Sequence, residues 1–225
     1  MGLQYSVTAI GSIVLQSAVN RLGSLYVAAV TAGSKVTGLL ACPFDAMGSA
    51  MATYCGQNSG AGKLDRLGRG VRDCSLLGLI YSAAAFAAMF FLAPVFVRMF
   101  IDPEETEVAA LVARASLFIR VNTAFFFPLA LVNIVRFSTQ GMGFSPLAIL
   151  AGVFEMLARS LVGRLLVPLY GFGAACYASP AAWIAADIFL IPACVWCIRR
   201  LYVHQSGRTP ERRRASLPRV RRSHT

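Results

Sequence analysis

Four ionisable side chains, Asp45, Glu155, Arg159 and Asp187, stand inside stretches that are otherwise apolar. A charge held in hydrocarbon is costly enough that each is a functional candidate by default. If Asp45 or Asp187 lacks a fixed partner, it can take up and release a proton, because burial disfavours the charged form of a carboxylate. Glu155 and Arg159 are spaced i,i+4, so on a helix they share a face and can pair. The competing reading for these groups is a structural clamp, Glu155 with Arg159, with or without Asp187, that locks helices together. Neutral polar groups fall within the same runs: Gln16, Asn20, Asn122, Asn133 and Gln140. They either line a watery cavity or hydrogen-bond to neighbouring helices. Arg136 and Arg164 sit nearer the ends of their runs, where long side chains snorkel to the interface.

Other chemistries fail on residue type. The histidines are His204 and His224, both near the end of the chain. A serine protease in the membrane would lack its base, and a metalloprotease its ligands. Cys194 and Cys197 have metal-like spacing but few ligands to join them, so packing is the better account and no cofactor is expected. Residues 56–63 invite a phosphate-loop reading, but Gln57 stands where that pattern needs glycine and Leu64 where it needs Ser or Thr. A glycine-rich turn ending a helix fits better.

The elements that must position the ionisable groups are membrane helices. Of 225 residues 57% are hydrophobic, and the mean hydropathy is +0.64; a soluble domain is about 45–50% apolar. The apolar residues form runs of about 18 or more, long enough to cross roughly 30 Å of hydrocarbon, and not the short alternating segments of a membrane barrel. The pattern predicts an all-α bundle of six spans near 3–20, 36–55, 75–96, 115–135, 146–170 and 174–198. A short interfacial stretch, 25–34, precedes the second span. Asp102 and Pro103, with the glutamates after them, have the chemistry of a helix start leading into span four. Six prolines inside spans (Pro43, Pro94, Pro128, Pro168, Pro180 and Pro192) mark kinks or reflect the tolerance of membrane helices for proline. Gly48, Ala52 and Gly56 form a small-residue stripe on span two, and Gly11 a smaller one on span one, both suited to close helix packing.

The formal net charge is +11, but its placement argues against nucleic acid. Arg199, Arg200, Arg208, Arg212, Arg213, Arg214, Arg219, Arg221 and Arg222 gather after the last span, and Lys63, Arg66, Arg69 and Arg72 between spans two and three. By the positive-inside rule these regions and both termini are cytoplasmic. Residues 1–201 read as one transmembrane unit and 202–225 as a basic, disordered tail that touches anionic lipid. No basic n-region of a cleaved signal is evident.

One run has a family likeness. Met51-Ala52-Thr53-Tyr54-Cys55-Gly56-Gln57-Asn58-Ser59-Gly60-Ala61-Gly62-Lys63, followed by Asp65 and Arg66, resembles the turn of the C-terminal lobe in MATE (multidrug and toxic compound extrusion) transporters. Gly2-Leu3-Gln4-Tyr5 looks like the start of that family's seventh helix. Arg136 through Gly141-Met142-Gly143 and the Glu155–Arg159 region look like its tenth and eleventh. The resemblance implies one six-helix lobe of a twelve-helix fold and export of organic cations against protons or sodium through a cavity between lobes. It implies membrane lipid and organic-cation substrates as partners, with an N-terminal lobe or a second copy completing the machine in a bacterial-like inner membrane. Some branches of the family carry an acidic residue in the seventh helix, where span one has Gln16 and Asn20. The alternatives are a non-transporting fragment or scaffold subunit, and a lipid-linked sugar flippase, which calls for a more basic central cavity.

Overall fold

A computed structural model describes residues 2–100 and 107–206; of residues 2–6 and 206 only the backbone is described. Eight α-helices and one π turn follow in order among these residues: α1 (Gly2–Asn20), α2 (Ser24–Gly60), α3 (Asp65–Arg98), α4 (Val108–Ala124), α5 (Phe126–Gly141), α6 (Ser145–Leu161), the π turn (Val162–Leu166), α7 (Val167–Tyr170) and α8 (Phe172–Ser206). They make six rods. Helices α4 and α5 form one rod bent by 50° at Phe125, and α6, the π turn and α7 form another. By length and composition α2, α3, α8 and the α6–α7 rod can each cross a membrane, and the α4–α5 pair does so as a broken span. The part of α1 whose side chains are described, Val7–Asn20, is also apolar.

The helices run longer than the hydropathy pattern. The stretch 25–34 is not a separate interfacial element: α2 begins at Ser24 and continues without a break. No proline lies within 25–34, and Ala29, Val30, Ala32 and Gly33 are buried. A Cβ added at Gly33 would sit 2.6 Å from the Phe118 ring of α4, so a glycine is what lets α4 pack there. The basic segment between spans two and three is likewise not a long loop. Only 61–64 separate α2 from α3, and Arg66, Arg69 and Arg72 stand on the first turns of α3. Helix α2 stops where Gly62 takes φ +69°, a left-handed backbone that only glycine adopts at little cost. The helix start read at Asp102 falls on 101–106, outside the described residues; α4 is described from Val108. Helix α8 runs to Ser206, past the expected end of the sixth span, and the arginines from Arg208 onward lie outside the described residues.

The small-residue stripe on α2 does what its spacing predicts. Gly48 faces the Phe137 ring, and Gly56 and Ala52 face Gly141 of α5, whose added Cβ would strike the Ala52 backbone. Gly11 of α1 lies against Met156 of α6 in the same manner. Lipid tails are as apolar as leucine, so this close packing, not exclusion from water, holds the rods together. Two cores result. One gathers Phe44, Leu67, Phe126, Ile134 and Leu190, with the Phe44 and Phe126 rings edge to face at 5.5 Å. The other gathers Val19, Val97, Phe118, Ile119, Val167 and Phe172 at the end of the bundle where α1 finishes. Phe91, Leu169 and Val203 are exposed to about three-quarters of their surface. A coat of that kind belongs in lipid; in water it would be a large apolar liability.

Candidate functional site

The bundle holds two groups of polar residues. The first is buried and lies where α5, α6, α8 and α1 meet. Arg136 of α5 and Glu155 of α6 form a salt bridge. Arg159, one turn further along α6, donates instead to the Ser12 hydroxyl of α1 at 2.8 Å. The expected Glu155–Arg159 pair is therefore not made. Spacing i,i+4 allowed it, but a partner on the neighbouring helix takes the carboxylate. Arg136, read as a snorkelling end residue, is buried and is that partner. Asp187 of α8 is also buried, close enough to Arg136 to feel its charge, and its Oδ1 has no hydrogen-bond partner among the described residues. It opens onto a shallow recess of about 350 Å³ otherwise lined by apolar residues such as Leu131, Ile188 and Ile191. Two guanidinium groups and two carboxyl groups are thus buried among these helices. Charges in such a place survive only when paired and hydrogen-bonded.

The second group is exposed. On α2, Asp45, Ser49 and Thr53 follow at i,i+4,i+8 and lie on one outward face. The Ser49 hydroxyl donates to the Asp45 backbone carbonyl at 2.9 Å and the Thr53 hydroxyl to that of Ser49 at 3.3 Å. The Asp45 carboxylate has no ion pair or hydrogen bond among the described residues. On α1, the Gln16 amide donates to the Asn20 side-chain oxygen at 3.0 Å, and both residues are exposed.

Two candidates from the sequence join neither group. Asn122 is buried and donates to the carbonyls of Phe118 at 2.9 Å and Cys176 at 3.4 Å, tying α4 to α8. Asn133 is half-buried and caps the Leu129 carbonyl of its own helix at 3.3 Å. The reading of residue types also passed over Arg120, although it lies within the fourth apolar run. Its guanidinium stacks over the Phe90 ring of α3 at 5.3 Å. The signal was its depth within the run, the same signal that picked out Asp45. At the other end of the bundle the glycine-rich turn is clasped by α8: Gln205 donates to the Gly62 carbonyl at 2.9 Å and the Tyr202 hydroxyl to Asp65 at 2.7 Å.

A broken α4–α5 rod, a π turn in the next rod and charges buried between helices are features of transporter lobes. The MatE family model matches residues 1–164. The chain belongs to the MatE family. Solved MATE structures share its fold. A MATE transporter in the straight conformation superposes with a TM-score of 0.75 at 19% identity, covering 84% of this chain and 42% of that one. An outward-facing multidrug resistance MATE transporter of the MOP superfamily gives 0.73 at 19%, with 84% and 42% covered. A MOP superfamily transporter from Pyrococcus furiosus, described as having a binding pocket of reverse polarity that suggests a different function, gives 0.74 at 18%, with 84% and 41% covered. No curated protein matches the chain. The chain spans about two-fifths of the length of these MATE structures and is one six-helix lobe of the fold, a multi-pass membrane unit.

Proposed function

We propose that this MATE lobe serves in the export of amphipathic organic cations, driven by inward flow of protons or sodium, and that its other half comes from a second lobe. The observation that carries the reading is the exposed polar face of α1 and α2. Ser49 and Thr53 bond to their own helix and Gln16 to Asn20, but in lipid the Asp45 carboxylate and the remaining amide groups of Gln16 and Asn20 would lack partners, at a cost of several kcal/mol each. Facing a second lobe across a water-lined cavity, the same groups are solvated, and Asp45 supplies one negative charge to a cation. Asp187, whose Oδ1 has no hydrogen-bond partner among the described residues, is the group in this lobe suited to hold the coupling proton or sodium.

The test is uptake of a fluorescent organic cation by proteoliposomes containing the chain, alone and together with a six-helix first lobe, under an imposed proton or sodium gradient. Asp45→Asn should cut cation movement about tenfold or more, the effect of losing one buried charge–charge contact. Asp187→Asn should leave cation binding in place and remove its dependence on the gradient. If both variants transport as the parent does, the assignment fails. The mass of the complex in detergent tells a self-paired lobe from a single copy.

A further inference from the structure

A further recess in the bundle belongs to neither polar group described above. It lies between α1 and the π turn, holds about 610 Å³, and is lined by Ile13, Ser17 and Arg21 on one side and by Gly163, Arg164 and Pro168 on the other. That volume falls in the ordinary range for a small-molecule site, roughly 300–1,000 Å³. Two arginines and no acidic residue line it. Both guanidinium side chains are exposed, and neither has an ion-pair partner among the described residues.

Its position defines what it meets. Helix α1 ends at Asn20 and α7 at Tyr170, so both close at the same end of the bundle, opposite the Lys63–Arg72 turn. Arg21 directly follows α1, and Arg164 lies six residues before the end of α7, about 9 Å of helix rise. Both charges are therefore at or near headgroup depth. The surroundings are apolar and open. Ile13, which lines the recess, and Leu165 and Leu169, which follow its lining residues Arg164 and Pro168 in the chain, are each more than half exposed, so acyl chains have an apolar outer surface to run along. The π turn contributes by close approach: Gly163 presents no side chain toward the Leu15 backbone, 3.4 Å from where a Cβ would stand. That lets α1 and the π turn approach closely where they wall the recess.

We propose that this recess holds the headgroup of an anionic phospholipid, with Arg21 and Arg164 on its phosphate and the acyl chains against the Ile13–Leu169 face. Arginine suits this because its planar fork binds phosphate oxygens in pairs. Basic pockets between membrane helices bind anionic headgroups for the same reason. The inference needs only the membrane placement of the bundle; it does not rest on cation export.

The arginine-rich end of the chain also attracts anionic lipid, so the test must read the recess by itself. The full chain is reconstituted in phosphatidylcholine vesicles doped with phosphatidylglycerol carrying a photoreactive headgroup. Crosslinks are then mapped by peptide mass, with label after Arg199 as the internal reference. Label is expected in peptides covering 13–22 and 163–170. It should fall about fivefold for Arg21→Gln or Arg164→Gln and about 25-fold for both, if the two charges act independently. Arg164→Lys should keep most of it. Helical content and melting in plain phosphatidylcholine should match the parent, since both side chains are exposed. The proposal is overturned if a phosphatidylcholine probe labels these peptides equally, or if the double variant keeps its label. It is also overturned if soluble glycerol phosphate at the probe's concentration displaces the label, which would make the occupant a free anion.

Discussion

The two polar groups of this lobe treat charge in opposite ways. At the meeting of α5, α6, α8 and α1, Glu155 is sealed against Arg136, and Arg159 reaches across to Ser12. On α2, Asp45 is exposed and has no charged partner among the described residues. Within the first group the Arg136–Glu155 pair is closed on itself and should be worth most to stability. The second depends on what lies outside the lobe, so its worth should appear only when something is bound or moved. The contrast separates the residues that hold the helices together from those that wait for a partner.

Removing the Glu155 carboxylate should give the largest effect. Glu155→Ala leaves the Arg136 guanidinium buried without its counter-charge, and breaking such a pair costs about 3–5 kcal/mol. Thermal unfolding in detergent should shift far down, and folded yield should fall with it. Replacing both partners, Arg136→Met with Glu155→Leu, should recover most of the loss, since an apolar pair of similar volume is often no worse than a buried ion pair. If the double variant melts as low as Glu155→Ala, the pair is doing more than neutralising itself.

A smaller effect separates packing from charge. Gly141→Ala drives a Cβ into the Ala52 backbone, where no flexible side chain can give way. Overpacking of this kind costs about 1–3 kcal/mol. Gly38→Ala on the same α2 helix meets nothing within 4 Å and should gain about 0.5–1 kcal/mol from the lower chain entropy of alanine. Measured side by side by thermal melting, the two alanines should move in opposite directions. Equal shifts would remove the close α2–α5 contact from the account.

These sites also mark how far the sequence could be read. The six rods were legible because each apolar run is long and the glycine stripe on α2 keeps its helical spacing. Where rods break or join was not. The turn after Gly60 reads as a long loop because glycine and charge cluster there, yet packing and a single left-handed glycine confine it to four residues. The bend at Phe125 falls where Pro128 leaves the Ala124 carbonyl without its N–H donor, but Pro43, Pro94, Pro180 and Pro192 lie inside unbroken helices, so the prolines alone do not say which rod bends. Within the site, spacing along one helix suggested Glu155 with Arg159. It could not show that Arg136, nineteen residues away on α5, stands closer. Pairing across helices depends on rotation and depth, which no single-helix pattern encodes. Asp45 and Asp187 were both visible as charges in apolar runs, but only the fold places one on the outer face and the other inside.

The smallest effect is the most telling for the comparison. Asp45→Asn keeps shape and hydrogen-bonding capacity and removes a charge that no described residue pairs. Ser49 donates to the Asp45 backbone carbonyl and not to its carboxylate, so the local helix should be untouched. Melting in detergent should stay within about 0.5 kcal/mol of the parent, as for exposed substitutions generally. A loss comparable to that of Glu155→Ala would mean that the carboxylate holds the lobe together, and the division between a sealed group and a waiting one would be wrong. No change in melting, together with lost cation movement, would place the role of Asp45 on the face turned toward a second lobe.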